Sequence, residues 1–129
     1  MRPFLLAAVI LSLCSSATGQ RTKKPADVEV IETKARRVDD KITLDGRVRY
    51  TGERPARGLV IVFDFLSPER AVVTTQKTQV ADDVVRAGQE ASYQTVLMDP
   101  ARAVSYQVRA FDTTDRDLRV ANPGPYPIE

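Results

Sequence analysis

The chain contains no histidine and no tryptophan, and its one cysteine, Cys14, lies in an apolar N-terminal run. Each absence excludes chemistry. Without histidine there is no Ser–His pair, no imidazole general base and no imidazole metal ligand. With Cys14 as the only thiol, the rest of the chain has no disulfide, no thiol nucleophile and no zinc–thiolate site. A catalyst would be confined to carboxylates, lysines, tyrosines and hydroxyls, and the sequence reads as that of a non-enzyme without a cofactor. Charge of one sign is also missing. The 19 Lys+Arg and 17 Asp+Glu are interspersed, so no basic stripe for nucleic acid forms. No stretch repeats apolar residues at a 3.6-residue period, so no amphipathic helix is expected.

What is present begins with an export pattern. Met1-Arg2-Pro3 carries one positive charge, Phe4 to Leu13 is almost wholly apolar, and Ser15-Ser16-Ala17-Thr18-Gly19 is small and polar. That order predicts a cleavable signal peptide over residues 1–19, with Ala17-Thr18-Gly19 placing cleavage before Gln20. Ser15-Ser16-Ala17 would place it before Thr18. The apolar run is about half of the ~20 residues a membrane span needs. A lipid anchor on Cys14 is the rival reading, although Leu13 is larger than the residue that usually precedes a lipidated cysteine. The mature protein is expected in the periplasm or outside the cell. Residues 20–27 are polar and basic and read as a flexible linker. Because Arg2 is the only charge in residues 1–19, cleavage lowers the net charge of +2 by one unit. The remaining chain, about 110 residues, suits one domain.

From Val28 the pattern has period two, with turn residues between short runs. Val28, Val30 and Lys34 alternate with Glu29, Ile31 and Thr33 in a first strand of mixed quality. Ile42, Leu44, Gly46, Val48 and Tyr50 form the cleanest half-buried strand, and Gly46 within it signals a bulge or a close backbone approach. Leu59–Leu66 is apolar on both faces, as a central strand would be. Ala71–Val80 is rich in Val, Thr and Gln, as an edge strand would be. Ala91–Met98, Val104–Ala110 and a short strand around Leu118 and Val120 follow. Gly88 marks a turn. These seven short strands predict an all-β domain over residues 28–121, a seven-stranded immunoglobulin-like antiparallel β-sandwich, with a closed barrel as the structural alternative. Residues 122–129 read as a Pro-rich tail.

Gly46-Arg-Val-Arg-Tyr-Thr-Gly52, Arg57-Gly-Leu-Val-Ile-Val-Phe63, Ala87-Gly-Gln-Glu-Ala-Ser-Tyr93 and Val104-Ser-Tyr-Gln-Val-Arg-Ala110 together resemble FxLYD-type domains over roughly Val38–Val120. Ala87 departs from that family's usual proline, and Tyr93 from its commoner phenylalanine. The closing segment is also similar to the E–F corner of fibronectin type III domains, in which Leu97, Pro100, Tyr106 and Val108 would form a tyrosine corner. The resemblance implies a noncatalytic envelope or surface module. A shared fold does not supply a function.

Few residues stand out as sites. Arg47 and Arg49 on one strand, with Arg54 and Arg57 in the next loop, form a candidate basic patch for an anionic glycan or headgroup. The plainer reading is a charged face that keeps the sheet soluble. Asp112, Asp115 and Asp117 share one turn and offer oxygens to calcium, without the EF-hand glycine or distal glutamate; a solvated turn is the plainer reading. Asp82-Asp83 and Asp39-Asp40 are weaker candidates. Asp64 interrupts the most apolar strand, either as a site residue or paired with a neighbouring arginine. Pro123–Pro127 reads as a polyproline ligand or as a terminus that ends the last strand. The function these features favour is an exported binding or structural module whose partner is an envelope or extracellular protein. A small carbohydrate- or ligand-binding domain using the basic patch or loop carboxylates is the alternative.

Overall fold

The structure, a computed structural model, describes residues 25–114 and 116–129. The expected signal peptide with Cys14, the start of the linker and Asp115 lie outside the described residues. Among the described residues there is no helix. The strands are β1 (Val28–Val38), β2 (Lys41–Tyr50), β3 (Ala56–Arg57), β4 (Val60–Leu66), β5 (Val72–Gln79), β6 (Val84–Val85), β7 (Glu90–Met98), β8 (Ser105–Phe111), β9 (Asp117–Leu118), β10 (Val120–Ala121) and β11 (Tyr126–Pro127). A front sheet has the order β10-β1-β2-β7 and a back sheet the order β11-β8-β4-β5, with β9 attached to β8 and β3–β6 forming a separate clip. The expected seventh strand is divided: β9 pairs with β8, while β10 pairs with β1 in parallel. Among the described residues, six long strands and five two-residue pieces therefore stand where the sequence pattern implied seven strands.

The core lies between the sheets. Ile42, Leu44, Val48 and Tyr50 from β2 face Ile61, Phe63 and Phe65 from β4 and Tyr106, Val108 and Ala110 from β8, all buried. Burying each large side chain contributes roughly 1.5–3 kcal/mol. With no disulfide beyond residue 19 to constrain the chain, this burial carries the stability. Phe63 lies 5.2 Å from the Tyr93 ring and 6.0 Å from Tyr106, a spacing favourable for tilted aromatic pairs. On the outside of the back sheet Val62 and Leu66 are also buried, with Lys77 and Arg109 flanking Val62 in register. Their long apolar stems explain how β4 is apolar on both faces.

The mixed pattern of the first strand has a specific cause. The pairing of β1 with β2 slips between Val30 and Glu32, leaving Ile31 as an extra residue. Such a bulge reverses which side chains face inward. Val28 and Val30 point into the core before it, and Ala35 does so after it, while Lys34 is exposed. The expected inward place of Lys34 is thus taken by Thr33 and Ala35.

Residues 120–129 form part of the fold rather than a free tail. Val120 and Ala121 pair with Val28 and Glu29, the Val108 N–H donates to the Pro123 carbonyl, and Tyr126 pairs with Tyr106. Glu129 then bonds Ala35 and Arg37 on β1. The segment stitches both sheets together along one flank. Asp27, at the end of the expected linker, accepts the Arg119 N–H through its carboxylate at 3.0 Å.

Candidate binding surfaces

The four arginines of the candidate basic patch separate into two groups. Arg47 and Arg49 are on the outer face of the front sheet, where β2 lies between β1 and β7. Arg47 donates to Glu32 at 3.1 Å and Glu90 at 2.7 Å; Arg49 donates to Glu29 at 3.4 Å and Glu90 at 3.0 Å. Alternating cross-strand charges thus neutralise both guanidiniums, with Glu90 shared. The hydrogen bond from Arg47 to Glu32 and the nearby carboxylates raise the Arg47 pKa above its ordinary value. This half of the patch is a salt lattice, not an open anion site.

Arg54 and Arg57 lie at one end of the sandwich and line a notch with Arg116, Asp112, Thr113 and Thr114. Among the described residues neither Arg54 nor Arg57 has a side-chain ion pair. Arg116 donates to Asp112 at 2.9 Å and reaches the Tyr50 hydroxyl at 3.4 Å. The Tyr50 hydroxyl donates to the Arg54 carbonyl, which fixes the loop after β2. Asp112 accepts the N–H and hydroxyl of Thr114 and the N–H of Arg116 as well. Burial opposes its ionisation, but these bonds together hold its carboxyl below the usual range. Its oxygens are committed to the turn. Asp117 is exposed in β9, and no cluster of three potential metal-ligating side chains exists among the described residues.

Asp64 is paired. Arg109 donates to it twice, at 2.6 and 2.9 Å, and Thr75 once at 3.0 Å. The Arg109 bond holds its carboxyl below the usual range despite burial. Asp82 accepts from Gln89 at 3.3 Å. Asp39 takes a φ of 59° in the β1–β2 turn, a conformation aspartate tolerates. Gly88 has a φ of 85°, and Gln89 N–H donates to the Arg86 carbonyl. That is a type II turn with glycine at its third position and Ala87 at its second, where proline is favoured.

The Tyr106 hydroxyl meets Thr33 Oγ1, on the opposite sheet, at 2.8 Å, rather than a backbone group nearby in sequence. The Tyr93 hydroxyl donates to the same Thr33 oxygen at 2.6 Å. Burial raises the pKa of both phenols. Gly46 makes this arrangement possible. Thr33, Gly46 and Tyr93 form one cross-strand row. A Cβ at Gly46 would come within 2.2 Å of the Glu32 carbonyl and 2.5 Å of Tyr93 Oη.

On the flank opposite the C-terminal stitch, no strand among the described residues pairs beyond β7 and β5, the edges of their sheets. Gln76 on β5 donates to the Thr95 hydroxyl on β7 at 3.1 Å, a side-chain link between the two edges. A shallow depression of about 560 Å³ runs from Lys34 and Asp45 over Ser92 and Gln94 on β7 to Gln79 and Ala81. Val96 and Met98 on β7 are exposed. Sequence reasoning passed over this flank, although the lack of lysine, arginine, proline and glycine in residues 90–98 is the signal that marks it.

No family model and no curated protein matches the chain. Among solved structures, a selenomethionine-labelled β-glucosidase from Kluyveromyces marxianus and the same enzyme in complex with glucose align with TM-scores of 0.37 and 0.38. Both share 16% identity over 81% of this chain, which spans 14% of theirs. Likeness at this level carries no assignment of activity.

Proposed function

We propose that this chain is an exported, noncatalytic β-sandwich module of the immunoglobulin-like kind, akin to FxLYD-type domains, that binds an envelope or extracellular protein. Export rests on the leader pattern of residues 1–19. The observation that carries the binding role is the open flank: a regular nine-residue edge strand, β7, which bears the exposed Val96 and Met98. An unblocked edge of this kind is a template for strand addition. The carboxylates Asp64 and Asp112 are tied to arginines and are not poised as an acid–base pair.

The test has two parts. The intact mass of the protein recovered outside the cytoplasm is expected to start at Gln20; a mass retaining a lipidated Cys14 overturns the soluble-export reading. Val96→Lys is expected to keep the unfolding midpoint and lose the complex formed in the protein's own envelope fraction. Complexes unchanged by Val96→Lys overturn the edge-binding reading. A second reading, a domain for an anionic ligand, is favoured by Arg54 and Arg57 beside Arg116 in one notch. It requires that inorganic sulfate or phosphate raise the melting temperature, and that Arg54→Gln with Arg57→Gln remove the effect.

A further inference from the structure

Among the described residues the sandwich has four sheet edges, and three carry a device that blocks pairing with another chain. β10 and β11 are two residues each, with Pro123 and Pro125 between them and Pro127 inside β11. β5 has a register break between Phe65 and Leu66 opposite Val72–Thr74, and it bears Lys77. β7 has no such device. Its register with β2 is unbroken from Glu90 to Met98.

Hydrogen-bond phase shows which main-chain groups this edge offers. The Tyr50 N–H donates to the Gln89 carbonyl, and the Asp99 N–H to the Asp40 carbonyl, at the two ends of the β2–β7 ladder. Both fix the odd-numbered residues of β7 as those bonded to β2. In an antiparallel ladder the alternate residues aim their N–H and C=O the other way. Glu90, Ser92, Gln94, Val96 and Met98 therefore direct theirs at the open flank. Val96 is 50% exposed and Met98 65%.

We propose that β7 pairs antiparallel with β7 of a second copy of this chain, about a two-fold axis at Gln94, joining two front sheets into one. The proposal rests on the edge-binding reading above and names the partner. Self-pairing at this register uses all nine residues. Each row is compatible. Gln94 meets Gln94, Ser92 meets Val96, and Glu90 meets Met98, so no two like charges face each other. The row beyond adds complementarity: Lys41 is the register partner of Met98, and among the described residues it has no ion pair. Glu90, whose two oxygens already hold Arg47 and Arg49, thus has Lys41 of the other copy one strand away. An isologous contact of this kind closes as a dimer and leaves no further edge of its type.

Sedimentation equilibrium of the purified protein tests the proposal. One strand pair is smaller than a standard interface of about 1,600 Å², so a weak dimer is expected. The weight-average mass is expected to rise toward twice the monomer mass between ~10 μM and ~1 mM, a range that spans such weak affinities. Gln94→Pro removes an N–H aimed at the flank and leaves the β2 ladder intact. It is expected to weaken association ~10-fold or more, as the loss of about 1.4 kcal/mol would. Val96→Lys is expected to do the same, and it decides the matter if Gln94→Pro fails to fold. A monomer throughout the range, or a dimer that the folded variants leave intact, overturns the proposal. A monomer that still cross-links from position 94 to a different protein overturns the homodimer and keeps the edge-binding reading; a monomer with no such cross-link overturns both.

Discussion

Thr33→Val isolates what the tyrosine pair contributes. Thr33 Oγ1 is the partner of two phenols, Tyr93 at 2.6 Å and Tyr106 at 2.8 Å, from opposite sheets. Valine keeps the shape and removes the oxygen, so both hydroxyls lose their partner together. An unsatisfied buried polar group costs about 1–3 kcal/mol. Thr33 is half-buried, which lets water relieve part of this, and the expected loss is about 2–4 kcal/mol. For a domain of this size that is a drop of roughly 10–20 °C in melting temperature. Tyr93→Phe and Tyr106→Phe each remove one hydroxyl and leave the other bond standing, so each costs about 1 kcal/mol. In the Tyr93→Phe, Tyr106→Phe background, Thr33→Val becomes nearly neutral, because no phenol remains to be orphaned. Urea unfolding of the parent and these five variants gives the cycle. The reasoning fails if Thr33→Val costs no more than either phenylalanine variant, or if its cost is undiminished when both hydroxyls are gone.

Other perturbations separate steric from conformational causes. Gly46→Ala, which would ordinarily gain from a stiffer unfolded chain, is expected to lose about 2–3 kcal/mol through overpacking against the Glu32 carbonyl and Tyr93; a variant as stable as the parent in urea refutes the close approach. Ala87→Pro, at the second position of the Gly88 turn, is expected to gain about 0.4–1 kcal/mol, and a lower midpoint would refute the turn assignment. Stability is expected to change with pH at both extremes. Burial raises the Tyr93 and Tyr106 pKa values, so stability is full below the unfolded phenol value of about 10 and falls as pH rises beyond it. Bonds to arginine lower Asp64 and Asp99, so their contribution is present above about pH 4 and is lost as pH falls below it. Thermal melts across pH check both signs, and an alkaline limb unchanged by the Tyr93→Phe, Tyr106→Phe pair contradicts the first.

What the sequence made legible follows the physics of each element. β2 and β8 alternate cleanly because each has one face in the core, and their inward residues are read directly from the pattern. β1 was obscured by a single extra residue, Ile31, which reverses the parity without any glycine or proline to mark it. Thr33 therefore read as an outward residue. The division of the expected last strand into β9 and β10, and the return of Tyr126 to β8, depend on long-range pairing that carries no local period. Prolines 123, 125 and 127 argued for a tail, yet edge positions tolerate them. At the candidate site, the sequence named Arg47 and Arg49 but not Glu29, Glu32 and Glu90, because register alone brings those carboxylates alongside. Arg116 joins Arg54 and Arg57 only through the approach of two loops distant in sequence.

The contact surface itself is the most direct point of test. A photo-cross-linking residue at position 94, on the β7 edge, is compared in the exported protein with the same residue at position 77 on the back sheet and at position 57 in the arginine notch. Cross-links are expected from position 94 and are removed by Val96→Lys, with few from positions 77 and 57. Cross-links that arise from position 77 or 57 and are absent at 94 contradict the edge-binding reading.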